Sequence, residues 1–139
     1  MHFEYDIQGG DFSRAGIASS QVKKTLKQLV ADHKTIKRVV VALYEAEVNV
    51  VAHAYHGVVK VDIDTNEIVI RVVDEGPGIE DIEIAMQEGY STASEAVREM
   101  GFGAGMGLSN IRNNSDIFEI KSEVNRGTEV LIRSKLNNQ

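Results

Sequence analysis

One proline serves the whole 139-residue chain, and it stands inside Asp74-Glu75-Gly76-Pro77-Gly78-Ile79. The alternating stretch Ile68, Ile70, Val72 leads into this segment and predicts a strand that ends at Asp74. Glycine permits φ > 0 and proline fixes its own φ, so the strand must end in a sharp, stiff turn. A carboxylate at a strand end beside bare glycine backbone suits a flat heterocycle. Asp74 can accept from an exocyclic amine while the backbone of Gly76, Gly78 and Ile79 comes close. Read alone, the same residues also describe a tight turn with a solvated aspartate.

The rest of the pattern predicts one domain over residues 1–139. Phe3, Tyr5 and Ile7 alternate with acids, giving a half-buried strand stopped by Gly9-Gly10. Ser13 is placed to cap a first helix that carries Ile17, Val22, Leu26, Leu29 and Val30. Thr35 is placed to cap a second helix running to about Tyr55, and Gly57 to close it. Its stretch Val39 to Leu43 is apolar all round, which predicts burial. Val59, Val61 and Ile63 mark a strand, Thr65-Asn66 a turn, and Ile79 to Gln87 a short helix. Glu88 to Gly107 is rich in Gly, Ser, Thr and Ala; a loop of that length inside a domain is usually functional or mobile. A short helix over Leu108 to Asn114 and strands over Ile117–Ser122 and Thr128–Arg133 complete the chain. Hairpin-joined strands beside grouped helices predict a mixed sheet with helices on one face.

Composition removes several function classes. With no cysteine, disulfides and thiolate metal sites are excluded. The net charge of −6 argues against a nucleic-acid binder that neutralises phosphates. Residues 1–10 hold acids and no apolar run, so no secretory signal is expected, and no stretch approaches membrane-spanning length.

Three further constellations carry chemistry. Glu45, Asn49 and His53 lie four apart and share one helix face. The Asn49 amide oxygen is a hard ligand suited to Mg²⁺, and Glu45, one turn away, is placed to take a proton. An unperturbed glutamate, with a pKa of about 4.3, is ionised at neutral pH. A solvated helix edge would look the same, and a zinc site from His53 and His56 has no supporting cysteine. Gly101-Phe102-Gly103-Ala104-Gly105-Met106-Gly107-Leu108 leads into a helix, where free N–H groups can cradle phosphate. It is not a Rossmann fingerprint, because the third glycine would fall on Met106 or Leu108, nor a P-loop, because no Gly-Lys-Ser/Thr follows. Gly127-Thr128 opens the last strand, where a hydroxyl can reach a base or a water.

The order of these signals resembles the GHKL ATPase superfamily, which includes gyrase, MutL and histidine kinases. Glu45-x-x-x-Asn49, Asp74-x-Gly76-x-Gly78, Gly103-x-Gly105-x-Gly107 and Gly127-Thr128 look like its N, G1, G2 and final Gly-Thr boxes. The resemblance covers about Ser13 to Arg133 and implies the Bergerat ATP-binding fold. That is an α/β (α+β) two-layer sandwich, with a mixed, mainly antiparallel sheet and helices on one face. It further implies ATP with adenine on Asp74, Mg²⁺ on Asn49, a lid containing Gly103, Gly105 and Gly107 over the phosphates, and Thr128 supporting the base site.

Within the superfamily the chain is similar to the small anti-sigma and switch-type serine kinases of bacteria, the RsbW/RsbT-like group. The short length, Gly89-Tyr90-Ser91-Thr92 at the lid entry and the glutamate before the Asn box carry that likeness. The likeness implies a cytoplasmic serine/threonine protein kinase in which Glu45 is the general base toward a Ser or Thr of a STAS-domain partner. A sigma factor or regulatory phosphatase is a further expected partner, and a homodimer an expected state. His53 is expected near a phosphate, and the Ser91 to Gly105 lid to be mobile without ligand. The alternatives are a nucleotide-dependent binding module without catalysis, with Arg14 and the first helix as contact face, and a stand-alone ATPase. Glu47, an extra acid inside the Asn box, has no role in this pattern and is expected to face solvent or a partner.

Overall fold

The computed structural model describes residues 1–29, 32–87 and 107–136. Five strands are named in chain order: β1 His2–Gln8, β2 His56–Ile63, β3 Glu67–Glu75, β4 Ile117–Glu123 and β5 Gly127–Lys135. The helices are α1 Ile17–Leu29, α2 His33–His53, α3 Ile82–Ala85 and α4 Gly107–Asn113, with a 3₁₀ turn at Phe12–Arg14.

The strands form one sheet in the order β1-β2-β3-β5-β4. Each of the four pairings is antiparallel, so the mixed sheet narrows to an antiparallel one among the described residues. β2–β3 and β4–β5 are hairpins, and the chain between β3 and β4 sets β5 beside β3. The alternation read from the sequence holds. Val59, Val61, Ile63, Ile68, Ile70, Val72, Val130 and Ile132 are all buried on one face. α2 covers that face, touching β1, β2, β3 and β5, while α1 and α4 pack on α2. The other face carries charges such as Arg71 near Glu129 and Arg133 near Glu67, both at long, half-exposed distances. No helix among the described residues is long and apolar enough to cross a membrane.

α2 buries Ile36, Val39, Ala42, Leu43, Ala46 and Val50, a stripe at helical spacing. α1 buries the narrower row Ala18, Val22 and Leu26 and leaves Ile17 and Leu29 exposed, while Val30 lies outside the described residues.

Several boundaries differ from the sequence reading. Asp32, not Thr35, caps α2: its side chain accepts from the Lys34 N–H and from the Thr35 hydroxyl. Ser13 caps nothing, because its hydroxyl donates to Asp11 and its own residue sits in the 3₁₀ turn. α2 ends at His53, with Ala54 already extended, and Gly57 is a buried residue of β2. α3 is only one turn long, capped by Asp81.

Gly57 is there for space. A Cβ at that position would lie 2.7 Å from Val50 Cγ1 on α2. Gly57→Ala should therefore overpack the helix–sheet contact and lower stability by about 1–3 kcal/mol. Urea unfolding, followed by far-UV circular dichroism, measures this.

Candidate functional site

The turn after β3 is tied to the β4–β5 hairpin. Gly76 N–H donates to the Arg126 carbonyl at 2.9 Å, and Asn125 N–H donates to the Pro77 carbonyl at 2.8 Å. Gly78 has φ +76°, and a Cβ on it would strike the Glu123 carbonyl. The stiff corner expected from Gly76-Pro77-Gly78 is thus seated on a second turn.

Asp74 is half-buried at the end of β3. Its Oδ1 accepts from the Thr128 N–H at 3.0 Å. Burial pushes its carboxyl above the usual aspartate range, and the Thr128 N–H pulls it partly back. A Cβ at Gly127 would meet the Asp74 carbonyl at 2.0 Å, so only glycine lets the two strands close here. Ser122 completes the knot. Its hydroxyl donates to the Gly127 carbonyl at 3.1 Å and accepts from the Ile79 N–H at 2.8 Å. A hydroxyl has one proton, so the 2.8 Å contact between Ser122 and Thr128 oxygens has Thr128 donating. Thr128 Oγ1 then presents lone pairs beside Asp74.

The C-terminal end of α2 abuts this corner. Tyr55 N–H donates to the Glu75 carbonyl at 2.9 Å, and a Cβ on Gly76 would lie 3.0 Å from Ala54 Cα. Immediately before Ala54, His53 is half-buried, and burial lowers its pKa, so the imidazole is neutral near pH 7. One turn back from it is Asn49. Gly107, the first residue of α4, approaches it so closely that a Cβ would lie 2.9 Å from Asn49 Oδ1. Leu108 packs against the core beside it. Glu45 follows, half-buried; burial raises its pKa, and a side-chain hydrogen bond with Asn110 of α4 opposes the rise. The structure therefore brings Asp74, Gly76, Gly78, Ile79 and Thr128 to one end of α2. It sets Glu45, Asn49 and His53 along one face with Gly107 and Leu108 opposite. Gly103, Gly105 and the Gly89-Tyr90-Ser91-Thr92 segment lie outside the described residues, as does the expected Ser91 to Gly105 mobility. His56 belongs to β2, 3.8 Å from Asp6, and among the described residues no group of three or more His, Cys, Asp or Glu could hold a metal ion.

The sequence matches the histidine kinase-like ATPase domain over residues 13–134. The chain belongs to that family. Its relatives include an anti-sigma F factor of Clostridium kluyveri, 33% identical over 99% of this chain and 93% of that protein. Another, from Thermoanaerobacter sp. strain X514, is 35% identical over 94% of this chain and 87% of its own length. The chain thus falls among anti-sigma relatives within an ATP-binding family. A solved structure of the RsbU and RsbW domains of a Mycobacterium tuberculosis protein shares the fold, with a TM-score of 0.67 at 18% identity. This chain is covered in full and spans 33% of that longer one.

Sequence reading missed Ser122 and Asn110. Ser122 continues the inward row Phe118, Ile120 of β4, and a polar group there needs a partner, which was the available signal. Asn110 had no such signal, since its partner lies on another helix.

Asp74 also carries a stability signature. Its folded pKa is raised, so protonation favours the folded state at low pH, and that advantage is lost as pH rises through the folded pKa. Asp74→Asn should then raise the melting temperature of the nucleotide-free protein near pH 7 by on the order of 2 °C, with no gain near pH 3. Where Asp74 is the adenine acceptor proposed below, the same change should weaken ATP binding about 10- to 100-fold, as for losing a hydrogen bond to a charged group. Differential scanning fluorimetry at both pH values and calorimetric ATP titration check the pair.

Proposed function

We propose that residues 1–139 act as one cytoplasmic domain that transfers the γ-phosphate of ATP to a serine or threonine of a STAS-domain-like regulatory protein. The observation that carries this reading is the order of groups along α2. Asp74 and Gly76 stand at its C-terminal end, Asn49 faces Gly107, and Glu45 lies one turn before Asn49 on the same face, with Asn110 of α4 lowering its pKa against burial. Glu45 to His53 spans about 12 Å of helix axis, room for the ribose and phosphates beyond an adenine on Asp74.

In this arrangement Asp74 accepts from the adenine amine, with Gly76, Gly78, Ile79 and Thr128 lining the base. Gly107 and Leu108 present backbone N–H groups to the phosphates. His53, being neutral, serves as a hydrogen-bonding neighbour of the ribose–phosphate chain and not as a charge. The donor chemistry fits Mg²⁺, because Asn49 offers one hard oxygen and the ion fills its other positions with phosphate and water. Bound there, Mg²⁺ would neutralise phosphate charge as it develops. Glu45 takes the proton of the incoming hydroxyl. That oxygen bonds to the γ-phosphorus as the bond to the β-phosphate oxygen breaks, and ADP leaves. Such transfer needs mainly positioning and charge stabilisation, which this set supplies.

A second reading is a nucleotide-dependent binding module without transfer, working on a sigma factor or a regulatory phosphatase. It is favoured by the relatives' name, anti-sigma F factor. Incubation with γ-³²P-ATP and the STAS-domain proteins of the source cell separates the two. Kinase action predicts label on the acceptor, lost about 10²- to 10⁴-fold in Glu45→Gln while ATP affinity is kept. Native transfer by that variant would remove Glu45 as base, and ATP-dependent binding with no label would favour the module. Because burial raises the Glu45 pKa and only the ionised form is a base, the transfer rate should fall on acidification at a pH above that of an ordinary glutamate. A pH–rate profile shows it.

A further inference from the structure

Glu47 does not face solvent. It is 2% exposed, and its carboxylate accepts three backbone N–H groups from the start of α1. Oε2 takes those of Gly16 at 2.9 Å and Ala18 at 3.1 Å, and Oε1 takes that of Ser19 at 3.1 Å. These are orphan donors of a helix N-terminus, and an anion there is favoured by both hydrogen bonding and the helix dipole. The cap comes from another helix, about 30 residues away in sequence. Position 16 is glycine and Ser13 is engaged with Asp11, so neither supplies a local side-chain cap. The placement of the first turn of α1 is therefore dictated by α2.

Glu47 stands two residues from Glu45, roughly 200° around the helix, so it points away from the Glu45–Asn49–His53 face. What it holds, however, borders that face. A groove of about 560 Å³ runs between α1 and α2, with Gly16, Ile17 and Ser20 on one bank and Val41, Tyr44 and Glu45 on the other. Ile17 and Tyr44 are 43% and 39% exposed in it. The groove is continuous with the proposed base, whereas the Asp74 end is built from β3, β4 and β5 without α1.

We propose that Glu47 is a positioning residue for the acceptor side of the site: it clamps α1 to the helix carrying Glu45, and α1 so held forms the far bank of the groove by which a hydroxyl-bearing segment of the acceptor protein reaches Glu45. The inference rests on the kinase reading above. Glu47→Gln keeps the shape but offers one accepting oxygen in place of two. Amide exchange at Gly16, Ala18 and Ser19 should quicken at least about tenfold, as for a locally released turn. The KM for the labelled STAS-domain acceptor should rise about tenfold while the ATP dissociation constant stays within about twofold. Ser20→Arg, at an exposed groove position, should raise the acceptor KM with native exchange at α1, and it carries the test should Glu47→Gln fail to fold. Native acceptor KM in a folded Glu47→Gln or in Ser20→Arg overturns the proposal, as does an ATP constant that rises in step with the acceptor KM. A wild-type protein that labels no acceptor overturns the kinase reading itself and the acceptor role with it.

Discussion

The close approach of α2 to the ends of β2 and β3 is the contact on which the site depends. α2 lies over four strands, and its last turn comes so near the sheet that a Cβ at Gly57 would lie 2.7 Å from Val50 and one at Gly76 3.0 Å from Ala54. A helix this close ends within hydrogen-bonding distance of a strand end, as the bond from Tyr55 N–H to the Glu75 carbonyl shows. Asp74 is therefore delivered to one end of the Glu45–Asn49–His53 face. A side chain at position 76 would press on Ala54, since its Cβ would stand 3.0 Å from the Ala54 Cα, and glycine removes that pressure between the corner and the helix.

That placement has an electrostatic consequence. Asp74 and Glu45 are both half-buried, and in both burial disfavours the charge. Each is offset by one donor from a different element, Thr128 N–H in the first case and the Asn110 side chain in the second. A carboxylate with a single protein donor keeps accepting capacity in hand, since it has about four lone-pair sites. Glu47 is the contrast. It is far more buried, takes three N–H groups, and has no free face to offer a ligand. Three acids on or beside one helix thus divide into two with room for chemistry and one that only holds.

The parts of the fold and the site that were legible in the sequence are those whose signal is local. Period-two alternation located the strands, and Gly76-Pro77-Gly78 announced its corner because φ preferences act within a residue or two. Spacing by four placed Glu45, Asn49 and His53 on one face without further help. Most of the failures share one cause: a partner distant in sequence. Gly57 read as a helix stop because glycine after a helix usually is one; its true reason is Val50, seen only once β2 folds under α2. Thr35 lost the cap to Asp32, a choice local enough to have been weighed. Ser122 and Glu47 could not have been assigned partners from spacing, because the groups they bind reach them only through the tertiary fold.

The two sides of α2 explain why a single helix can carry both the proposed nucleotide-facing groups and the link to α1. Residues four apart repeat on one face, and residues two apart fall on opposite ones. Glu45 and Asn49 therefore look toward α4, whose first residue touches Asn49, while Glu47 between them looks toward α1. A displacement of α1 pulls on a buried, charge-assisted set of hydrogen bonds, and such a set resists being broken one bond at a time because each freed N–H would be left unpaired in a buried place. The two groups cannot shift independently, since both belong to the same rigid, core-packed turn of α2. A protein that binds across α1 thereby meets a surface whose position is referenced to Glu45 itself, with the sheet end of the site anchored separately by Thr128 and Ser122.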